Sequence, residues 1–238
     1  KLKTYHEIEN LTNIGLSTWM WEELNKSRLM KNKTNLALPN PIDTTFYKNT
    51  PKNEAKAQLG LRLDKKYILF SAINSTTDKR KGFSELYRAL QIMPKNEDIE
   101  LLVMGGDRNK DLDDFQIPVR YMGFIDNWDI IKIIYSSVEL MITPSLQENL
   151  SNAIMECLSC ETPVVAFNIG GNSDLISHKE NGYLAETTDP NGLADGIQWV
   201  LTNSTQKLGL NARNSVVERF DYKVVTRKYL ELYEKLLS

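Results

Sequence analysis

Thr143-Pro144-Ser145-Leu146-Gln147-Glu148-Asn149-Leu150-Ser151-Asn152-Ala153-Ile154-Met155-Glu156-Cys157-Leu158 runs from an apolar segment through a polar turn into a helical pattern, carrying two carboxylates eight positions apart. The order strand, turn, helix sets the reading of its neighbours. Leu140 to Thr143 and Val164 to Phe167, on either side, are short continuous apolar runs, the pattern of strands covered on both faces. Further back stand a helix over Asp129 to Ser137, strands over Val119 to Met122 and Ile99 to Met104, and a helix offering Phe83, Leu86, Leu90 and Ile92 to a core. The alternation begins at the run Tyr67-Ile68-Leu69-Phe70-Ser71-Ala72-Ile73. Strands that alternate with helices imply parallel pairing through right-handed crossovers. The expected fold class is therefore α/β, a doubly wound parallel sheet.

After Gly182-Tyr183-Leu184, a last short strand, the pattern turns helical. Asp189-Pro190 opens a helix to about Leu201, with proline in the tolerated first turn. Helices over Thr205 to Arg219 and Tyr222 to Leu237 follow, the last showing Val225, Tyr229, Leu232, Tyr233 and Leu236 at helical spacing, a stripe that needs a partner surface. Ahead of the regular pattern, a polar helical start leads to a short strand over Asn13 to Leu16 and a helix over Thr18 to Asn25 capped by Ser17. A strand over Leu36 to Leu38 comes next. Pro39-Asn40-Pro41 then forces an extended exit, read as a linker or an ordinary turn, before a helix over Asn53 to Leu59.

Composition narrows the function classes. In 238 residues, 29 basic and 31 acidic side chains leave a net charge of -2, so no bulk electrostatic footprint for nucleic acid is present. No apolar run reaches the roughly 18 residues a spanning helix needs and no charged-then-apolar leader opens the chain, which gives the expectation of a soluble, cytoplasmic protein. Cys157 and Cys160 are the two cysteines, and with His6 and His178 far off in sequence they read as buried reduced thiols rather than a zinc or redox pair. A start at Lys1 points to a piece of a longer chain.

In an open parallel sheet, ligands sit beyond the carboxyl ends of the strands. Four polar or glycine-rich loops converge on that rim: Asn74 to Gly82, Gly105-Gly106-Asp107, Gly123-Phe124-Ile125-Asp126, and Ser145 to Asn152. The first places Lys79, Arg80 and Lys81 beside a helix start, where cations and unpaired amides together suit a phosphate. In the last, a helix beginning near Leu150 puts Glu156 in its second turn, and eight helical positions span at most roughly 12 Å. That is the reach of a sugar, a diphosphate and a ribose laid along the helix start. Glu156 then accepts both ribose hydroxyls, Glu148 accepts from the sugar, and the amides of Asn149, Leu150, Ser151 and Asn152 meet the diphosphate.

Glu148 and Glu156 between Pro144-Ser145 and Thr162-Pro163-Val164-Val165-Ala166, with Gly170-Gly171-Asn172, Asn181-Gly182-Tyr183, Lys81-Gly82, Gly123-Phe124-Ile125 and Pro39-Asn40-Pro41-Ile42-Asp43 in order, resemble the donor-binding domain of glycosyltransferase family 4. The resemblance runs from about Ile14 to the C-terminus. It implies a GT-B fold of two Rossmann-like domains facing across a cleft, and transfer from a nucleotide diphosphate-sugar with retention of configuration and no metal or other cofactor. It also assigns Lys81 to the departing diphosphate, Glu148 to the donor sugar, Glu156 to the ribose, and Gly123, Phe124 and Ile125 to the base through backbone groups. Asn74 and Arg80 complete the expected donor set.

Four positions depart from the family pattern. Thr76 stands where an arginine is usual, so Arg80 or Lys79 has to substitute for it. Asn149 and Ser151 replace glycines after Glu148, and Glu161 stands before Thr162-Pro163 where glycine is usual; a positive φ there costs about 1 kcal/mol. The resemblance divides the chain into residues 1–38, the end of an N-terminal acceptor domain with its linker, residues 39–220, the donor domain, and residues 221–238, a crossover helix. The isolated chain is thus expected to bind donor and transfer nothing alone, the glycan or lipid-linked acceptor and any peripheral membrane contact belonging to the other half. A catalytically silent nucleotide-sugar-binding or scaffold module is the alternative, and a dehydrogenase-type domain is disfavoured because no Gly-x-Gly-x-x-Gly follows the first strand of the regular pattern.

Overall fold

The computed structural model describes residues 10–72, 77–106, 114–186 and 188–238, together with Tyr5 and Ile8. Asn74, Thr76, Asp107 and most of the polar start lie outside the described residues. Strands β1 (Thr12–Gly15) and β2 (Thr34–Ala37) pair in parallel as a small separate sheet, with α1 (Thr18–Lys26) between them. Ser17 begins α1 as expected, its hydroxyl accepting from Met20 N at 3.1 Å.

The main sheet has six parallel strands: β3 (Lys66–Ser71), β4 (Ile99–Met104), β5 (Val119–Gly123), β6 (Leu140–Thr143), β7 (Val164–Phe167) and β8 (Gly182–Ala185), in the spatial order β5-β4-β3-β6-β7-β8. Counted from β3, this is the 3-2-1-4-5-6 order of a doubly wound sheet, with its reversal between β3 and β6. Side-chain alternation divides the core between the two faces. Along β3, Tyr67 and Leu69 join one apolar cluster while Ile68 and Phe70 join the other. The first face is covered by α4 (Trp128–Ser137), α5 (Asn152–Ser159) and α8 (Thr205–Phe220), through Ile134, Tyr135, Ile154, Leu158, Ala212 and Val216. The second is covered by α3 (Phe83–Ile92) and α7 (Pro190–Thr202), through Leu86, Leu90, Leu193 and Ile197. The short helices α2 (Lys52–Gln58) and α6 (Asn172–Leu175) and the C-terminal α9 (Tyr222–Leu237) complete the described α-helices, and a single 3-10 turn covers Lys79–Lys81. Burial of the central strands on both faces is why their sequences are continuous apolar runs rather than alternating ones.

Caps set the helix starts, and one of them moves a boundary. Ser151 caps α5 by accepting from Ile154 N at 3.4 Å, so α5 begins at Asn152, two residues after the position expected. Leu150 precedes this cap and lies outside the helix, with its side chain buried in the core. In α3 the core stripe continues through Ala89 and Met93, leaving Ile92 50% exposed against expectation. Within the stripe of α9, Val225 is buried whereas Tyr233 and Leu236 stand exposed, forgoing the benefit of about 1.5–3 kcal/mol that full burial of an apolar side chain brings. Cys157 and Cys160 are buried free thiols; burial raises both, Cys160 to about 12.

The expected linker is firmly tied down on its far side. Ile42 N donates to Phe220 O and Tyr222 N to Ile42 O, at 2.9 and 3.0 Å, and Thr44 donates to the Asp221 carboxylate. The Arg213 guanidinium donates to the carbonyls of Thr44, Tyr47 and Ser159.

Helix α5 ends in a Schellman turn, with Glu161 N donating to Leu158 O at 3.1 Å and Thr162 N to Cys157 O at 3.2 Å. This closure requires a left-handed residue at its centre, and Glu161 has φ 61°. An L side chain pays about 1 kcal/mol for that conformation where glycine does not. Glu161→Gly is therefore expected to stabilise the chain by about 0.5–1 kcal/mol, read as a higher urea midpoint with unchanged slope.

Candidate functional site

The reversal of strand order puts a crevice between the carboxyl ends of β3 and β6. The loops that leave those ends carry Lys81 and Glu148, and the structure brings the two together. Lys81 Nζ lies 3.6 Å from Glu148 Oε2, with both side chains partly exposed. The loops are also joined through their backbones, Leu146 N donating to Arg80 O at 2.8 Å. Gly82 makes the approach feasible: its φ is +72°, and a Cβ there would lie 1.8 Å from the Pro144 carbonyl oxygen. As the residue that caps α3, Gly82 has no side chain, so no oxygen from the cap residue competes for the helix-start amides.

A cleft of about 630 Å³ opens here, lined by Arg80, Lys81, Leu146, Gln147, Glu148 and Asn149. Ile169 and Gly170, and Trp19 and Met20 from α1, also line it. Its volume is within the usual range for small-molecule sites. Of the two candidates to replace the absent arginine, Arg80 lines the cleft and Lys79 does not. The guanidinium is held by a two-point contact with Asp78, at 3.1 and 2.8 Å, which raises the arginine and lowers the carboxylate.

Glu156 does not line this cleft. It lies on α5, where its carboxylate accepts from the Tyr135 hydroxyl on α4 at 3.0 Å, with Tyr47 also hydrogen-bonded to it. Burial raises its pKa above the usual carboxylate range, and the two phenols offset part of that rise. Asn149 N does not stand free to meet a ligand, since it donates to Glu148 Oε1 at 3.2 Å. Leu150 and Ser151 are buried and Asn152 is exposed on the first turn of α5. Gly123, Phe124 and Ile125 close β5, two strand spacings or about 10 Å from β3, outside the cleft lining. The Phe124 ring is 70% exposed there.

The residues that sequence reasoning missed are the lining residues from α1 and the supports. Trp19 and Met20 belong to a helix more than a hundred residues from Glu148, and nothing local marks them as cleft residues. Gly170 and Gly171 carried a signal in their pairing. A Cβ at Gly170 would fall 1.7 Å from the Glu148 carbonyl oxygen and one at Gly171 2.1 Å from that of Asn149, so they press directly on the loop after β6.

Residues 51–216 match the sequence family described as glycosyl transferases group 1. An uncharacterised glycosyltransferase of Methanocaldococcus jannaschii is 28% identical over 188 residues, covering 75% of this chain and 47% of that protein. The chain thus spans about half the length of the curated relatives it matches. Among solved structures, sucrose-phosphate synthase from Thermosynechococcus elongatus superposes with a TM-score of 0.81 at 25% identity, over 98% of this chain and 60% of that one. Anabaena HepE, solved in complex with UDP-glucose, gives a TM-score of 0.79 at 20% identity, over 98% and 66%. The fold shared with these structures is the Rossmann-like GT-B type expected from the sequence. With the family matched over most of its length, this chain belongs to the glycosyl transferases group 1 family.

Proposed function

We propose that this chain is the donor half of a retaining, family 4 glycosyltransferase, binding a nucleotide diphosphate-sugar across the β3–β6 crevice. The observation that carries the reading is the Lys81–Glu148 pair at 3.6 Å in the cleft of the strand reversal. The bound UDP-glucose of the HepE structure supports the same class of donor.

In this reading Lys81, with Arg80 beside it and the start of α3 behind it, receives the diphosphate. Glu148 accepts from sugar hydroxyls. The nucleoside extends along the rim, its ribose toward Glu156 and its base toward Gly123 to Ile125. The sugar C1–O bond to the β-phosphate breaks with its electron pair going to the phosphate oxygen. An acceptor hydroxyl bonds to C1 on the same face, and its proton passes to the departing phosphate. Lys81 stabilises the charge that develops on that oxygen, an electrostatic contribution of about 3–4 kcal/mol when the cation is pre-positioned. The positive charge comes from side chains, so the reading assigns no metal. The acceptor, glycan or lipid-linked, and the residues that hold it belong to the rest of a longer enzyme, in which residues 1–38 form the end of the acceptor domain.

Calorimetry with UDP-, GDP- and ADP-sugars tests the donor site: one nucleotide sugar binds, and Lys81→Ala and Glu156→Ala each weaken it at least tenfold. Binding of none of them would sink the reading. In a longer chain with transferase activity, Lys81→Ala lowers kcat about 10²–10³-fold, whereas activity indifferent to the substitution would indicate that this lysine does not meet the leaving group.

Glu156 gives an independent check through pH. A carboxyl whose pKa is raised by folding binds its proton more tightly folded than unfolded, so it costs stability as pH rises from the unfolded value of about 4.3 through the raised folded one. Glu156→Gln removes that cost. The variant is expected to melt at a higher temperature than the parent at pH 7.5, to lose the advantage near pH 4, and to bind donor more weakly at both.

A further inference from the structure

The cleft has a second wall whose composition differs from the first. Lys81, Arg80 and Glu148 are charged, whereas Trp19 and Met20 present an indole, 39% exposed, and a thioether. A pyranose is amphipathic in the complementary sense, with hydroxyls around its rim and C–H groups on its faces. An indole and a carboxylate lining one cleft suit a sugar ring, the indole against its C–H faces and the carboxylate at its hydroxyls.

The position of that wall is set by the residue that departs from the family pattern. Ser17 Oγ donates to Asn149 Oδ1 at 2.7 Å while accepting from Met20 N at 3.1 Å, so one hydroxyl both caps α1 and joins it to the donor loop. Thr18 N adds a second tie, donating to Asp174 Oδ2 at 2.6 Å. On its other side Asn149 contacts the reacting end of the cleft, its amide donating to Glu148 Oε1 at 3.2 Å. A continuous chain of contacts thus runs from the Trp19 helix through Ser17 and Asn149 to Glu148 and Lys81.

We propose that Trp19 and Met20 form the wall on which the transferred sugar of the donor packs, and that the Ser17–Asn149 hydrogen bond holds this wall at the spacing from Glu148 that a pyranose requires. The proposal rests on the donor-site reading above. Trp19 is then a specificity residue for the sugar, and Ser17 and Asn149 are positioning residues that act through it and through Glu148.

The discriminating quantity is the ratio of affinities for a nucleotide sugar and for its own nucleoside diphosphate, measured by calorimetry on this chain. UDP-, GDP- and ADP-glucose are each compared with UDP, GDP and ADP, and the tightest pair is used. Trp19→Ala and Asn149→Gly are each expected to lower the ratio about three- to tenfold, the worth of one hydrogen bond or one packing face. Asn149→Gly leaves the α1 cap intact, and general loosening of the fold would lower both affinities while preserving the ratio. Because Ser17→Ala removes both the bond and the α1 cap, adding Asn149→Gly to it should lower the ratio no further than Ser17→Ala alone. An unchanged ratio in Trp19→Ala and Asn149→Gly overturns the proposal, and additive losses in the pair overturn the role of the Ser17–Asn149 bond. Failure of every nucleotide sugar to bind removes the donor-site reading itself, and with it this inference.

Discussion

Two backbones meet at the strand reversal at a distance only a glycine permits. The Pro144 carbonyl occupies the place a Cβ at residue 82 would take, and the Leu146 amide reaches the Arg80 carbonyl. This contact fixes the loop after β3 against the loop after β6, and the Lys81–Glu148 pair follows from it. In a doubly wound sheet the reversal opens a crevice whatever the loops contain. The close approach turns that crevice into a cleft with a defined cation and a defined carboxylate. Gly170 and Gly171 apply the same device from the next loop along, pressing the carbonyls of Glu148 and Asn149 from the other side.

The electrostatics of the site follow from this packing. Lys81 and Glu148 keep part of their surface open to the cleft, so a ligand can exchange partners with them without first paying to expose a buried pair. Glu156 is different in kind. Burial raises its pKa and two phenols offset part of that rise, so its use as a ribose acceptor would be taken at the expense of stability. Such opposition between stability and local chemistry is common where residues are placed for binding.

Much of the scaffold was legible because it rests on local patterns. Continuous apolar runs marked β3, β4, β6 and β7, and Ser17 and Asp189 marked the starts of α1 and α7. Leu150 misled because an apolar residue before a cap resembles a first helical residue until the Ser151 capping bond is known. Ile92 misled by lying one position off a stripe that Met93 continues. Positive φ at Glu161 was legible from the glycine that usually stands there. The hidden part of the site is its long-range part. Neither the closing of the cleft by Trp19 nor the pairing of Glu156 with Tyr135 leaves a trace in local spacing, because each joins segments set beside one another only by the sheet order.

The clamp on Ile42 has a mechanical consequence. Beyond it, the chain is fastened to the α8–α9 junction by two backbone hydrogen bonds and by the Arg213 guanidinium, which fixes three carbonyls at once. Before it, Leu38 is fastened to β1 through Gly15. Residues 39–41 lie between two anchored ends, and two of the three are prolines, which resist torsion about φ. Any rotation of the β1–α1–β2 unit relative to the main sheet must turn on this short, stiff axle, and the travel it allows is limited by the bonds from Ser17 and Thr18 at the opposite end of the lever.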